Sequence, residues 1–150
     1  MTLNWNCAEQ WMEKSMPGYI DKVWTRFYGA KITPKFVEAP HAWTTPQYGL
    51  SQPQLTSPID SSPLLSAPEK TGLQEIFRSL LYFSRCINST ILTTLGSTRT
   101  NIADGTERVA AMAACLLNFC ANNRNPKIRY YASDMQLFGH TDASYLSMPK

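Results

Sequence analysis

The sequence predicts an α+β fold. Three observations carry this: two short N-terminal runs alternate in polarity, three later stretches repeat apolar residues at helical spacing, and alternation returns after Pro126. Residues 2–7 and 11–16 each place apolar groups at every second position, as half-buried strands do, and residues 8–10 supply the turn of a hairpin. Pro17 suits a first helical turn, and Tyr19, Ile20, Val23, Trp24 and Phe27 come after it on one face. A helix over 17–28 is therefore expected, stopping at Gly29, with Asp21, Lys22 and Arg26 on its other face.

Between Pro34 and Pro68 the composition changes. Seven of the ten prolines fall there, and from Ala39 to Pro68 the one charged residue is Asp60. Proline fixes φ and removes a hydrogen-bond donor, so the segment reads as an extended linker and as a module boundary.

After Gly72 the residues Leu73, Ile76, Phe77, Leu80, Leu81 and Ser84 form one helical stripe. Asn88 or Ser89 can cap a second helix bearing Ile91, Leu92, Leu95 and Ile102, weakened by Gly96 and its threonines. Asp104 followed by Glu107 resembles a capping box for a third, whose stripe is Val109, Met112, Ala113, Leu116, Leu117 and Cys120. The asparagines from 122 onward and Pro126 end it. Ile128, Tyr130 and Leu137 then suggest a second hairpin turning near Ser133 and Asp134. The expected divisions are 1–33, 34–72, 73–126 and 127–150.

With 43% hydrophobic residues in 150, the chain has enough apolar material for a modest core, which excludes disorder throughout. The net charge of +3 is too small to announce a nucleic-acid binder, but five of the six charged residues from Lys14 to Lys35 are basic. Cys7, Cys86, Cys115 and Cys120 form no CxxC pair, and no secretory signal precedes them, so reduced thiols and an intracellular location are expected. On the same ground the sequon at Asn88 is read as chance. His41 and His140 offer little for a zinc site, and no apolar run approaches the ~18 residues of a membrane span.

The segment from Lys127 to Ser147 resembles the start of the RNase H domain in copia-like retrotransposon polyproteins, most specifically at Thr141-Asp142-Ala143-Ser144-Tyr145. Ser15-Met16-Pro17-Gly18-Tyr19-Ile20 is similar to the passage from the last palm hairpin into the thumb of such reverse transcriptases. Leu80-Leu81-Tyr82-Phe83-Ser84-Arg85 is similar to the helix that comes next in them. The order and spacing of the three blocks agree with that family. Arg78 and Asn88 depart from it, standing where similar sequences usually carry glycine and aspartate.

The resemblance implies a role for Asp142 as the first of several carboxylates that hold two Mg2+ ions in the intact enzyme. Two-metal chemistry needs several such ligands converging on ions about 4 Å apart, so Asp142 alone is an incomplete metal and catalytic site. The palm aspartates are missing too, since the sequence contains no Asp-Asp dipeptide. The expectation is thus a piece of a reverse transcriptase and RNase H polyprotein, inactive without its missing segments and binding nucleic acid weakly.

Lys22 and Arg26, at i and i+4, are the candidate contacts to the phosphates of an RNA–DNA hybrid; otherwise they are a solvated helix face. Trp5, Trp11, Trp24 and Tyr19 could stack on bases, although their spacing favours core packing. Cys115 and Cys120 read as small hydrophobes, and His140 as a strand-end surface residue. A rival function is a host-retained protein-interaction module using the helices after Gly72, without a nucleic-acid role.

Overall fold

The computed structural model describes residues 1–41, 60–99, 102–103 and 105–134. Its architecture is α+β: a three-stranded antiparallel sheet beside a group of helices with one apolar core.

The hairpin forms as expected. Strand β1 (Thr2–Asn6) pairs with β2 (Trp11–Ser15), and Gln10 enters the left-handed region at φ 54° to complete the turn. The first helix starts two residues later than its pattern suggests. Pro17 is not inside it, because Gly18 adopts φ 72°, which no α-helical residue can, and α1 (Tyr19–Tyr28) begins only after that glycine. Gly29 ends α1 as predicted, at φ 82°. Ile20, Val23 and Trp24 are buried, and the Trp24 indole N–H donates to the Ile32 carbonyl at 2.8 Å, which pins the departing chain.

The described ends of the proline-rich segment are tied down by hydrogen bonds. Asn118 of α4 (Glu107–Asn122) accepts from the Lys35 N–H at 2.7 Å, and Asn122 donates to the Lys35 carbonyl at 3.0 Å. At the other end the Asp60 carboxylate accepts from the Ser62 N–H, the Ser62 hydroxyl and the Thr106 hydroxyl, at 3.0, 2.6 and 2.6 Å. The Ser62 hydroxyl in turn accepts from the Arg108 N–H, and the Pro63 and Gly105 carbonyls accept from the Glu107 and Leu65 N–H groups. A linker charge has thus become the knot that fastens residues 60–65 to the N-terminus of α4.

Helix α2 (Ala67–Cys86) begins earlier than Gly72. Ser66 and Glu69 form a capping box, with the Ser66 N–H donating to the Glu69 carboxylate at 2.9 Å, and a proline occupies the first turn, where its missing N–H costs nothing. A 3-10 turn (Ser89–Ile91) runs into α3 (Leu92–Arg99). The third helix of the group, α4, is capped by Thr106, whose hydroxyl accepts from the Val109 N–H at 3.4 Å; Asp104, the expected cap, lies outside the described residues.

The expected second hairpin is corrected in one respect. Strand β3 (Lys127–Tyr131) does not open a separate unit but pairs antiparallel with β2, giving the order β1-β2-β3. The reason is that β2 would otherwise leave one edge of backbone donors and acceptors unpaired. Leu137 and the remainder of that hairpin lie outside the described residues.

The core is built on α2, which contacts α1, α3 and α4. Leu80, Phe83, Ile91, Leu116, Leu117 and Cys120 are fully buried there, and Met16 and Ile20 join the same cluster, so residues on both sides of the proline-rich segment share one core.

Two measurements check this account. Phe83→Ala removes a fully buried ring and lowers unfolding stability by about 3–5 kcal/mol, read from urea denaturation. Three hydrogen bonds, led by the one from the Ser62 hydroxyl, hold the Asp60 carboxyl down at about 2, against an ordinary 3.8. Its contribution is complete above the unfolded value and lost as pH falls through the folded one. Stability therefore drops between about pH 4 and pH 2, and Asp60→Asn flattens that part of the pH profile.

Candidate nucleic-acid interface

Helix α1 is amphipathic: one side is locked into the core and the other lies in solvent. On the solvent side Asp21, Lys22, Thr25 and Arg26 line a shallow groove. Arg26 is not independent there. Its guanidinium pairs with Glu75 of α2 at 2.8 Å and lies 5.4 Å from the Phe27 ring centroid. Asp21 is likewise engaged, by Arg124 at 2.8 Å, which occupies the only acid of α1 and adds a cation beside it. Lys22 is exposed, with no carboxylate partner among the described residues. The structure thus puts both predicted contacts on one face, and hands one of them a competing anion. The i, i+4 pattern found the pair; nothing in the local sequence announced Glu75.

A second group of cations was not foreseen as structural. Glu13, on the central strand, is buried between Lys127 and Arg129, each 3.0 Å away, and these partners, Lys127 foremost, hold its carboxyl below the usual range. Arg129 also covers the Trp11 indole at 4.4 Å.

The aromatic residues divide. Trp24 is buried and Tyr19 half-buried against Phe83, stacked at 5.7 Å, so the expectation of core packing holds for both. Trp11 is half-buried under Arg129. Trp5 departs from the expectation: it is 69% exposed, and Leu3 on the same strand is also exposed. The alternation of β1 is real, but among the described residues no second layer covers it.

Asp142 and His140 lie outside the described residues. Among the described residues no group of three or more His, Cys, Asp or Glu side chains is placed to hold a metal ion. Cys120 is fully buried, which pushes its thiol up to about 12, and Cys7 is exposed at the hairpin turn. In the native protein a thiol-reactive probe therefore labels Cys7 quickly at pH 8, while Cys120 reacts only on addition of denaturant, as mass spectrometry of the labelled peptides will register.

No helix among the described residues is long and apolar enough to cross a membrane. The chain matches no protein-family model, no curated protein and no solved structure.

Proposed function

We propose that the chain carries the stretch of a copia-like reverse transcriptase that leads from the palm and thumb into the RNase H domain, is not catalytic alone, and contacts nucleic acid through α1. The observation that carries the binding half of this reading is the solvent face of α1, where Lys22 and Arg26 stand one turn apart on a helix whose opposite face is fixed by Ile20, Val23 and Trp24. Two cations so spaced meet successive phosphates of a duplex, giving affinity that depends on salt and not on sequence.

The ancestry half is supported by the blocks themselves and by their being neighbours. Tyr19 of the first block stacks on Phe83 of the second and donates to the Ser79 carbonyl at 3.1 Å, and the strand that opens the third block pairs with the strand that leads into the first. The departures are compatible with such a helix: Arg78 is exposed on α2, and Asn88 accepts from the Thr90 hydroxyl at 2.5 Å, as an aspartate would. An intracellular location, with four free cysteines, belongs to the same reading.

The test is an anisotropy titration on a labelled RNA–DNA hybrid at several salt concentrations. Binding weakens as salt rises and is lost with Lys22→Ala combined with Arg26→Ala. Glu75→Gln, which releases Arg26, strengthens it. Absence of any hybrid binding, or binding indifferent to all three changes, removes the thumb assignment.

A second reading, a helical protein-interaction module, is favoured by one feature. Between α2 and α3 lies a groove of about 600 Å³ floored by Phe77, Leu81, Leu92 and Leu95, with Arg78 and Arg85 beside them. Association that survives high salt and is abolished by Leu81→Asp would favour it over the first.

A further inference from the structure

The register of the sheet sorts its side chains into two unlike faces. On one face the cross-strand rows are Thr2–Ser15–Lys127, Asn4–Glu13–Arg129 and Asn6–Trp11–Tyr131, and there both cations, Lys127 and Arg129, are paired with the one carboxylate, Glu13. On the other the rows are Leu3–Lys14–Ile128 and Trp5–Met12–Tyr130. Trp5 is 69% and Tyr130 47% exposed, and Lys14 stands as the only charge on this face, with no carboxylate beside it. Among the described elements the strands contact one another and scarcely touch the helices, so no described layer covers these rings.

From this arrangement we infer that the Trp5–Met12–Tyr130 face of the sheet is a stacking platform for single-stranded nucleic acid, distinct from the basic face of α1. Three properties select that occupant. Trp5 and Tyr130 are on the outer strands, so strand spacing sets them roughly 10 Å apart. Bases stacked in a helix are only ~3.4 Å apart, so two rings at this distance serve bases that have left one another, as they do in a single strand. Ring faces are also what a single strand offers and a duplex hides. Lys14, on the central strand and ~7 Å along it from Met12, lies between and below the two rings, where the phosphodiester connecting two splayed bases would pass.

Charge disfavours one pairing with a second copy of the chain: two such faces meeting about a two-fold axis along the central strand would bring Lys14 against Lys14 across an apolar contact, with no acid on either side to offset them. A polyanion with aromatic bases complements the same face without conflict.

The full chain should be titrated into a labelled oligothymidylate of about 12 nucleotides, with an unlabelled duplex of the same sequence as competitor. The expected result is that Trp5→Ala and Tyr130→Ala each weaken binding by about 5- to 100-fold, in line with the loss of one base stack. Trp5→Phe retains most of it, and Lys14→Ala makes it less sensitive to salt. Because Trp5 and Tyr130 are exposed, far-UV circular dichroism of both variants should match the parent. In the Lys22→Ala, Arg26→Ala background the losses caused by Trp5→Ala and Tyr130→Ala persist, which separates this site from the hybrid-binding face of α1. The inference is overturned by oligothymidylate binding that ignores Trp5 and Tyr130, by no binding at all, or by self-association that those two substitutions abolish while oligonucleotide binding does not occur.

Discussion

Everything else in this molecule depends on covering the apolar stripe of α2. Leu73, Phe77, Leu80 and Phe83 run along one helix, and no single neighbour is wide enough to remove them all from water. Three helices share the task. α4 covers the stripe with Leu116 and Leu117, α3 with Leu95, and α1 with Ile20 and the ring of Tyr19. Even Ser84, buried in the same stripe, is satisfied locally, its hydroxyl donating to the Leu81 carbonyl at 2.8 Å. Because α1 is held by this packing, the orientation of its outer face is fixed by hydrophobic burial on its inner one. A basic surface patch is thereby positioned by residues that carry no charge.

The cations of the chain have two fates. Arg124, Lys127 and Arg129 are consumed by Asp21 and Glu13, and Arg26 is shared with Glu75. The two exposed pairs, Arg26–Glu75 and Arg124–Asp21, add little to stability, about 0–1 kcal/mol each, so their effect is mainly on availability. Lys14, Lys22, Lys31 and Lys35 escape such pairing among the described residues. Of the five cations from Lys14 to Lys35, Arg26 alone is shared with a carboxylate, while Lys14 stands on the sheet, Lys22 on α1, and Lys31 and Lys35 on the segment that leaves it.

Local pattern made much of the secondary structure readable. The hairpin, α1, its stop at Gly29 and the α4 stripe come from periodicity and from one glycine. The start of α2 was also written locally, as Ser66 and Glu69 three residues apart, but a run of prolines and Gly72 outweighed it. What could not be read was pairing over distance. Nothing in the vicinity of Asp60 says that it will meet Thr106, nor does Glu13 signal Lys127, because such partners are chosen by the packing of elements and not by neighbours in the chain. The candidate site shows the same division: the spacing of Lys22 and Arg26 was visible, whereas Glu75 beside Arg26 and the bareness of Trp5 were not. Alternation reports that a strand has two faces. It does not report whether anything lies on them.

The pairing of β3 with β2 carries a kinetic meaning. Glu13 and Arg129 meet across 116 residues, so the second edge of β2 stays unsatisfied until nearly all of the intervening chain has collapsed and brought its ends together. Local helices form in microseconds, while closure of so long a loop carries an entropic cost that packing of the intervening helices lowers. During synthesis the strand Lys127–Tyr131 also emerges last among the described elements. The sheet therefore completes after the helical core, and an interruption of synthesis ahead of Lys127 leaves the hairpin with a bare edge, able to pair with another nascent chain.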